Sequence, residues 1–309
     1  MNYTLHQLKV FLKVSEKQSI TKASEELHLT QPAVSIQLKN LQSQFPIPLT
    51  EVVGRQLFIT DFGKEIAEMA QRILKEVDTI NYRMLSVGGK LAGRLKISVV
   101  STGKYVMPYF LTDFMRENPE VDLSMDVTNK SRVVEHIEKN EVDFALVSVL
   151  PAHLSLNKVS LMENVLYLVA NPKHFGRIKL TTNTFSKDTP LIFREQGSAT
   201  RGAMENYLRE RKIEVGKRIE LTSNEAVKQA VIAGLGCSIM PVIGIKNELK
   251  NGDLKIFPFK NLPIKTTWNM VWLKAKKLSP ISEALLTYLD LKKETIITQN
   301  FQWFGKYGS

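Results

Sequence analysis

Cysteine occurs once among the 309 residues, at Cys237, so no internal disulfide can form and nothing in the sequence calls for an oxidising compartment. Long apolar runs are missing too. The longest one free of charge, Ala230 to Ile245, has 16 residues and is broken by three Gly and one Pro, too short and interrupted to span a bilayer. The opening residues, MNYTLHQLKVFLKVSEKQS, are charged every few positions and contain neither an apolar signal core nor a small-residue cleavage site. The expectation is a cytoplasmic protein with no membrane partner. Histidines 6, 28, 136, 153 and 174 have no metal-ligand spacing, and neither a nucleophile elbow, a phosphate-binding P-loop nor a dinucleotide fingerprint is present. An enzyme is therefore not expected, nor a metal or a bound cofactor. Composition, 43% hydrophobic and 24% charged, excludes disorder and collagen-like repeats, and the length suits two or three domains.

What the chain does have is a formal charge of +11, which suggests an anionic partner: nucleic acid first, then a membrane surface or an acidic ligand. The excess is unevenly placed. Residues 1–88 carry 10 basic and 9 acidic side chains, a net of +1, and residues 89–309 carry 32 and 22, a net of +10. The basicity belongs to the larger part and needs its own explanation.

In the first sixty residues, Leu5, Leu8, Phe11 or Leu12, and Val14 recur at helical spacing. A second helix fits Thr21 to Leu27, followed by the break His28-Leu29-Thr30. Thr30 is a natural N-cap, and Pro32 falls in the first turn, where its missing N–H costs little. The third helix, Gln31 to Gln42, buries Val34, Leu38 and Leu41 and turns Gln31, Ser35, Gln37, Lys39 and Asn40 outward. Two short helices joined by a tight turn match the helix-turn-helix plan, whose polar outer face reaches base edges and phosphates. Periodicity alone favours an ordinary solvated helix face, because polar helix faces are far commoner than recognition helices.

Specific residues decide between the two. Leu5-x-x-Leu8-x-x-Phe11, Ser19-x-Thr21-x-Ala23-Ser24-x-x-Leu27, the run TQPAVSIQLKNL from Thr30 to Leu41, Pro48-Leu49, Gly54-Arg55 and Thr60-x-x-Gly63 resemble the DNA-binding domain of LysR-type transcriptional regulators. The resemblance implies a winged helix-turn-helix over residues 1–60, with Phe45 to Thr60 as the wing. It implies DNA contacts from Thr21, Thr30, Gln31, Pro32, Ser35, Gln37, Lys39 and Arg55. Three places depart from the family pattern. Thr50-Glu51-Val52 replaces the usual Phe-Glu-Arg, Asp61-Phe62-Gly63 replaces Pro-Ala-Gly, and Ile36 stands where many members carry Arg. With fewer phosphate-neutralising cations, non-specific affinity per subunit is expected to be modest, leaving more to oligomerisation.

From Asp61 to Val87, Ile66, Met69, Ile73, Val77, Ile80, Met84 and Val87 are spaced 3, 4, 4, 3, 4 and 3, close to the 3.5-residue seam of a coiled coil. Such a stripe either docks on its own domain or pairs with a second copy. The resemblance implies the latter, a linker helix over 61–90 roughly 40 Å long that forms a homodimer, with a homotetramer as the family expectation. Gly88-Gly89 and Gly93 mark the hinge into the next part.

Beyond the hinge the pattern alternates strand and helix. Strands are expected at Leu95–Val100, Val121–Val127 and Val142–Val149, with helices at Tyr105–Glu117 and Arg132–Asn140. A second set places strands at Val165–Ala170, Leu191–Arg194, Ile219–Thr222 and Ser238–Met240, and helices at Ala199–Arg211 and Asn224–Gly234. Trp268–Leu273 and the helix Ile281–Lys292 return to the first set. The phrases EVDFAL (Glu141–Leu146) and AGLGCSIMP (Ala233–Pro241) resemble the two-lobed, type 2 periplasmic-binding-protein effector domain of the same family. This implies an α/β domain over 91–309, with lobe I at about 91–162 and 269–309 and lobe II at about 163–268.

Ligands in such lobes bind at strand C-termini and helix N-termini. The candidates are Ser101 and Thr102 after the first strand, Asn129 after the second, Ser148 after the third, and Arg194, Gly197, Ser198, Thr200 and Arg201 from the other lobe. Hydroxyls and free N–H groups at a helix start attract anions, and the two Arg add bidentate donors. Each Ser or Thr taken singly is better explained as a helix cap, and it is the clustering of Gly, Ser, Thr and two Arg that points to a site. Lys104 and Lys130 stand beside the cluster. The GSATR phrase and the third-helix run are most similar to the branch regulating carbon-fixation and cysteine-biosynthesis operons. That implies a sugar phosphate, a nucleotide or a sulfur compound as effector. The expected function is sequence-specific binding of promoter DNA, with its geometry controlled by that effector through the oligomer, and RNA polymerase as a further partner if the protein activates. The alternative is a cytoplasmic small-anion-binding protein of the same fold without DNA function.

Overall fold

The computed structural model describes residues 2–54, 56–86, 91–175 and 189–307. Arg55 of the expected DNA contacts, Val87 and the Gly88-Gly89 hinge lie outside them. The chain divides into two compact units, Met1–Gly93 and Arg94–Ser309.

In the first unit, α1 (Leu5–Lys17) is opened by a capping box in which Thr4 and Gln7 satisfy each other's backbone N–H. Helix α2 (Ile20–Leu27) is capped by Ser19 and closed by His28 in the left-handed conformation, φ 53°. Helix α3 (Gln31–Gln42) is capped by Thr30, with Pro32 in its first turn. Strands β1 (Thr50–Val53) and β2 (Gln56–Ile59) pair antiparallel as the wing. Helix α4 follows over Asp61–Ser86. Leu8, Phe11 and Val14 of α1 pack with Ala23, Val34, Leu38, Leu41 and Leu49, and with Ala67 and Ala70 of α4. The root of α4 thus docks on its own domain through Ala67 and Ala70, with Phe62 and Ile66 packed beside them, while Met69, Ile73 and Ile80 of the expected seam remain exposed.

The second unit contains β3 (Gly93–Val100), α5 (Met107–Glu117), β4 (Val121–Thr128), α6 (Lys130–Glu138), β5 (Phe144–Val147), β6 (Leu156–Ala170) and the short α7 (Pro172–Phe175). It continues with β7 (Leu191–Arg194), α8 (Ala199–Glu210), β8 (Arg218–Leu221), α9 (Asn224–Ile232), β9 (Ser238–Pro241), α10 (Lys246–Asn251), β10 (Lys255–Ile256), β11 (Ile264–Leu273) and α11 (Pro280–Phe301). The large sheet runs β10-β6-β11-β5-β3-β4, and β9 also pairs with β6. Strand β11 pairs antiparallel along its whole length with Leu156–Leu166 of β6, with a register shift at Trp268/Asn269, and the end of β6 pairs with β9 and β10, so that β6 and β11 connect two lobes. In lobe I, β3 and β5 are parallel and β11 returns antiparallel to β5. In lobe II, Met204, Tyr207 and Leu208 of α8 cover Leu166, Leu168 and Phe193, while Val227 and Val231 of α9 cover Val169, Ile192 and Met240 from the other side.

Three sequence expectations need extending, one of them β11, which begins at Ile264 rather than Trp268. The strand expected at Val165–Ala170 begins at Leu156, because its first half is partly exposed and mixes Asn157, Lys158 and Glu163 among apolar residues. The helix expected to end at Lys292 continues to Phe301, its last two turns buried only through Ile296 and Phe301. A 3-10 segment, Gln302–Tyr307, then reaches lobe II: the Tyr167 hydroxyl donates to the Tyr307 carbonyl at 2.8 Å, and the Lys246 ammonium lies 4.8 Å from the Trp303 ring centroid.

Cys237 is fully buried, and burial pushes its thiol up to about 12. At pH 7 the thiolate would be roughly one part in 10⁵, so a thiol reagent should leave the native protein unlabelled and modify one equivalent after denaturation. Rapid native labelling would contradict this packing. An unfolded thiol ionises near 9, so any stability from this group is present below pH 9 and is lost as pH rises toward 12.

Candidate functional site

On α3, burial of Val34, Leu38 and Leu41 turns Gln31, Pro32, Ser35, Lys39 and Asn40 to solvent. Thr30 and Thr21 are exposed beside them, on the turn and on α2. Gln37 differs from the expectation. It sits on the flank of the helix, half-buried, whereas its neighbour Ile36 is 56% exposed.

In the second unit, three helices begin at the cleft between the lobes. Asn129 caps α6, accepting from the Arg132 N–H; Ser198 caps α8, accepting from Arg201; Ser223 caps α9, accepting from Ala226. Their free N–H groups and dipoles make a positive end without a full charge. The lobes touch here. The Ser131 N–H donates to the Gly197 carbonyl at 3.3 Å, and the Asn224 side-chain amide donates to the Ser101 hydroxyl at 3.2 Å. Gly197 has φ +83°, and a Cβ on it would lie 2.5 Å from the Ser131 hydroxyl, so only glycine allows this approach. Thr102 is buried in the turn after β3, Thr200 is half-buried in the first turn of α8, and Ser148 is half-buried just past β5. The hydroxyls of Thr102 and Thr200 make no hydrogen bond among the described residues.

The two arginines expected to bind an anion are already engaged. Arg194, 4% exposed, donates from Nε and Nη2 to the Glu195 carboxylate at 2.7 and 2.8 Å. Arg201 donates to Glu205 at 2.9 Å, to Glu220 at 2.7 Å and to the Arg194 carbonyl at 3.1 Å. Burial works against the Arg201 charge, but these carboxylates outweigh it and hold its pKa above the ordinary value. The guanidinium groups tie lobe II together, and in this conformation neither offers a free fork. Lys104 lies 5.1 Å from the Tyr105 ring centroid. Lys130 lines a cavity of about 960 Å³ together with Ser131, Gly197, Ser198, Arg201 and Thr266. Sequence reasoning missed Ser131, Ser223 and Asn224. The strand–Ser–helix order at Leu221-Thr222-Ser223 repeats the order at Ser198 and was the available signal.

Comparison with known proteins agrees with both parts. The model described as "Bacterial regulatory helix-turn-helix protein, lysR family" matches residues 5–64, and that described as "LysR substrate binding domain" matches residues 88–292. The transcriptional activator CmpR of Synechocystis is 33% identical over 296 residues, 96% of this chain and 97% of the relative. The regulator CbbR of Rhodospirillum rubrum is 35% identical over 291 residues, 94% of this chain and 97% of the relative. Among solved structures, the regulatory domain of Synechocystis CcmR in complex with 2-PG is 33% identical with a TM-score of 0.60, over 65% of this chain and 97% of that one. Full-length CbnR with its target DNA has a TM-score of 0.67 at 20% identity, over 93% of this chain and 99% of that one, a likeness of fold.

Proposed function

Because the chain belongs to the LysR family of transcriptional regulators, and is a DNA-binding regulator with an effector domain, we propose that its effector is a small anion of the kind represented by 2-PG. The anion sits between the lobes at Ser101, Thr102, Asn129, Ser198 and Thr200, and we add Asn224 to this set. The carrying observation is the convergence of three capped helix N-termini on one cleft that the lobes close by direct hydrogen bonds. Closure shifts an existing equilibrium of the oligomer and so alters the spacing of the α3 helices on promoter DNA. The exposed Met69, Ile73 and Ile80 support pairing of α4 with a second copy, and the place of action is the cytoplasm, where promoter DNA lies. A solute-binding role without DNA gives way to the helix-turn-helix match.

The test uses the full chain. Adding 2-PG should raise its unfolding temperature, and Thr200→Val should weaken that binding roughly 10-fold or more, the loss of one hydrogen bond to a charged ligand. DNA binding without effector should stay unchanged. Ser35→Ala with Gln37→Ala should abolish specific promoter retardation in a gel while the melting curve is kept. No 2-PG response in the native chain would refute the effector, and retained promoter specificity would refute the α3 contacts.

A further inference from the structure

The outer face of α3 is polar except at its summit. At 100° per residue the buried Val34, Leu38 and Leu41 define the inner side of the helix, and Ile36 lies about 15° from the line diametrically opposite. Gln37 lies only about 65° from the inner side, as its half-burial confirms. Ile36 is 56% exposed, flanked by Pro32, Lys39 and Asn40, and touches none of the domain core. Exposed aliphatic residues are common, so exposure alone carries nothing. The position does. A β-branched residue at an exposed helix site favours the helix less than Lys, Arg or Ala would, so its presence does not serve local stability. In a helix laid in the major groove, the summit is the part nearest the base edges.

We propose that Ile36 is a specificity-determining residue that reads the C5-methyl group of a thymine in the major groove. An aliphatic tip offers no donor or acceptor to a base edge, and the thymine methyl is the one apolar feature displayed there. Lys39 and Asn40 on either side position the helix through phosphates or neighbouring bases, while Ile36 selects by shape and desolvation. The assignment rests on α3 being the helix that enters the groove.

The experiment starts from a duplex selected by the full chain from a random-sequence library. Each thymine of the selected site is replaced in turn by deoxyuridine, which removes only the methyl group. One position per half-site should lose roughly 5-fold in affinity. Ile36→Ala, a change at an exposed position that should leave melting unaltered, should bind thymine and uracil equally there. Repeating the selection with Ile36→Arg should change that one position from T to G, the base that accepts a bidentate guanidinium, and steepen the salt dependence. Uracil tolerance at every position by the native chain would overturn the proposal, as would unchanged uracil sensitivity in Ile36→Ala. Loss of all specific DNA binding by Ser35→Ala with Gln37→Ala, with uracil tolerance in the native chain, would keep α3 in the groove and remove Ile36 alone. Failure of the native chain to select any duplex would overturn the groove assignment and the proposal with it.

Discussion

Gly63→Ala is expected to abolish promoter binding while residues 94–309 remain folded. Gly63 lies in the first turn of α4, where the helix leaves the wing. A Cβ there would stand 2.0 Å from the Leu49 carbonyl oxygen and 2.9 Å from Ile59 Cγ2. Leu49 is fully buried, and its carbonyl accepts from the Thr60 N–H at 3.1 Å. The Thr60 hydroxyl in turn accepts from the Gly63 N–H at 2.9 Å and donates to the Pro48 carbonyl at 2.7 Å. The obstruction is backbone, so no rotamer relieves it; either the wing or α4 must leave its place. Overpacking of this kind costs about 3 kcal/mol or more, a large part of the stability of a small domain. The expected melt has a lowered first transition and an unchanged second one. Wild-type melting and retardation of the promoter duplex by the variant would sink this reading of the junction.

Gly197→Ala should have the opposite distribution, leaving DNA binding and removing the response to effector. The left-handed φ of +83° costs a non-glycine residue roughly 1–2 kcal/mol. The added carbon would also meet Ser131 Oγ at 2.5 Å and Cβ at 3.1 Å, across the cleft. The Ser131 N–H to Gly197 carbonyl bond, which closes the lobes at this point, then has to lengthen or break. Faster amide exchange at Ser131 is the reading that needs no ligand, and loss of thermal stabilisation by 2-PG is the one that does. Native exchange at Ser131 in the Gly197→Ala variant would show that the lobes do not meet there in solution.

The helix-turn-helix was legible almost residue by residue, because each boundary is written in a local signal: Thr30 capping α3, His28 ending α2, a two-stranded wing between Pro48 and Gly63. What periodicity could not place was Gln37 against Ile36, since one is polar and the other apolar and burial had to be seen. In the larger unit, strand and helix order was legible wherever a continuous apolar run existed, as in Leu191–Arg194. The long connecting strand β6 was half missed because its first half, Leu156 to Glu163, is only partly buried and mixes polar with apolar residues. The cleft glycine and caps were legible as caps. The ion pair of Arg201 with Glu220 was not, because Glu220 lies 19 residues beyond Arg201 and only the parallel pairing of β7 with β8 brings its strand near.

That engagement has a consequence for how the regulator meets its surroundings. With both guanidinium groups paired within lobe II, the anion proposed for the cleft would be held by hydroxyls and amide dipoles at partly buried positions, which salt screens less than exposed charges. The hold on promoter DNA comes largely from displaced counterions and fades steeply with salt. A rise in the surrounding salt would therefore loosen the regulator from its operator while leaving it loaded with its signal, so the metabolic message outlasts the address to which it is delivered.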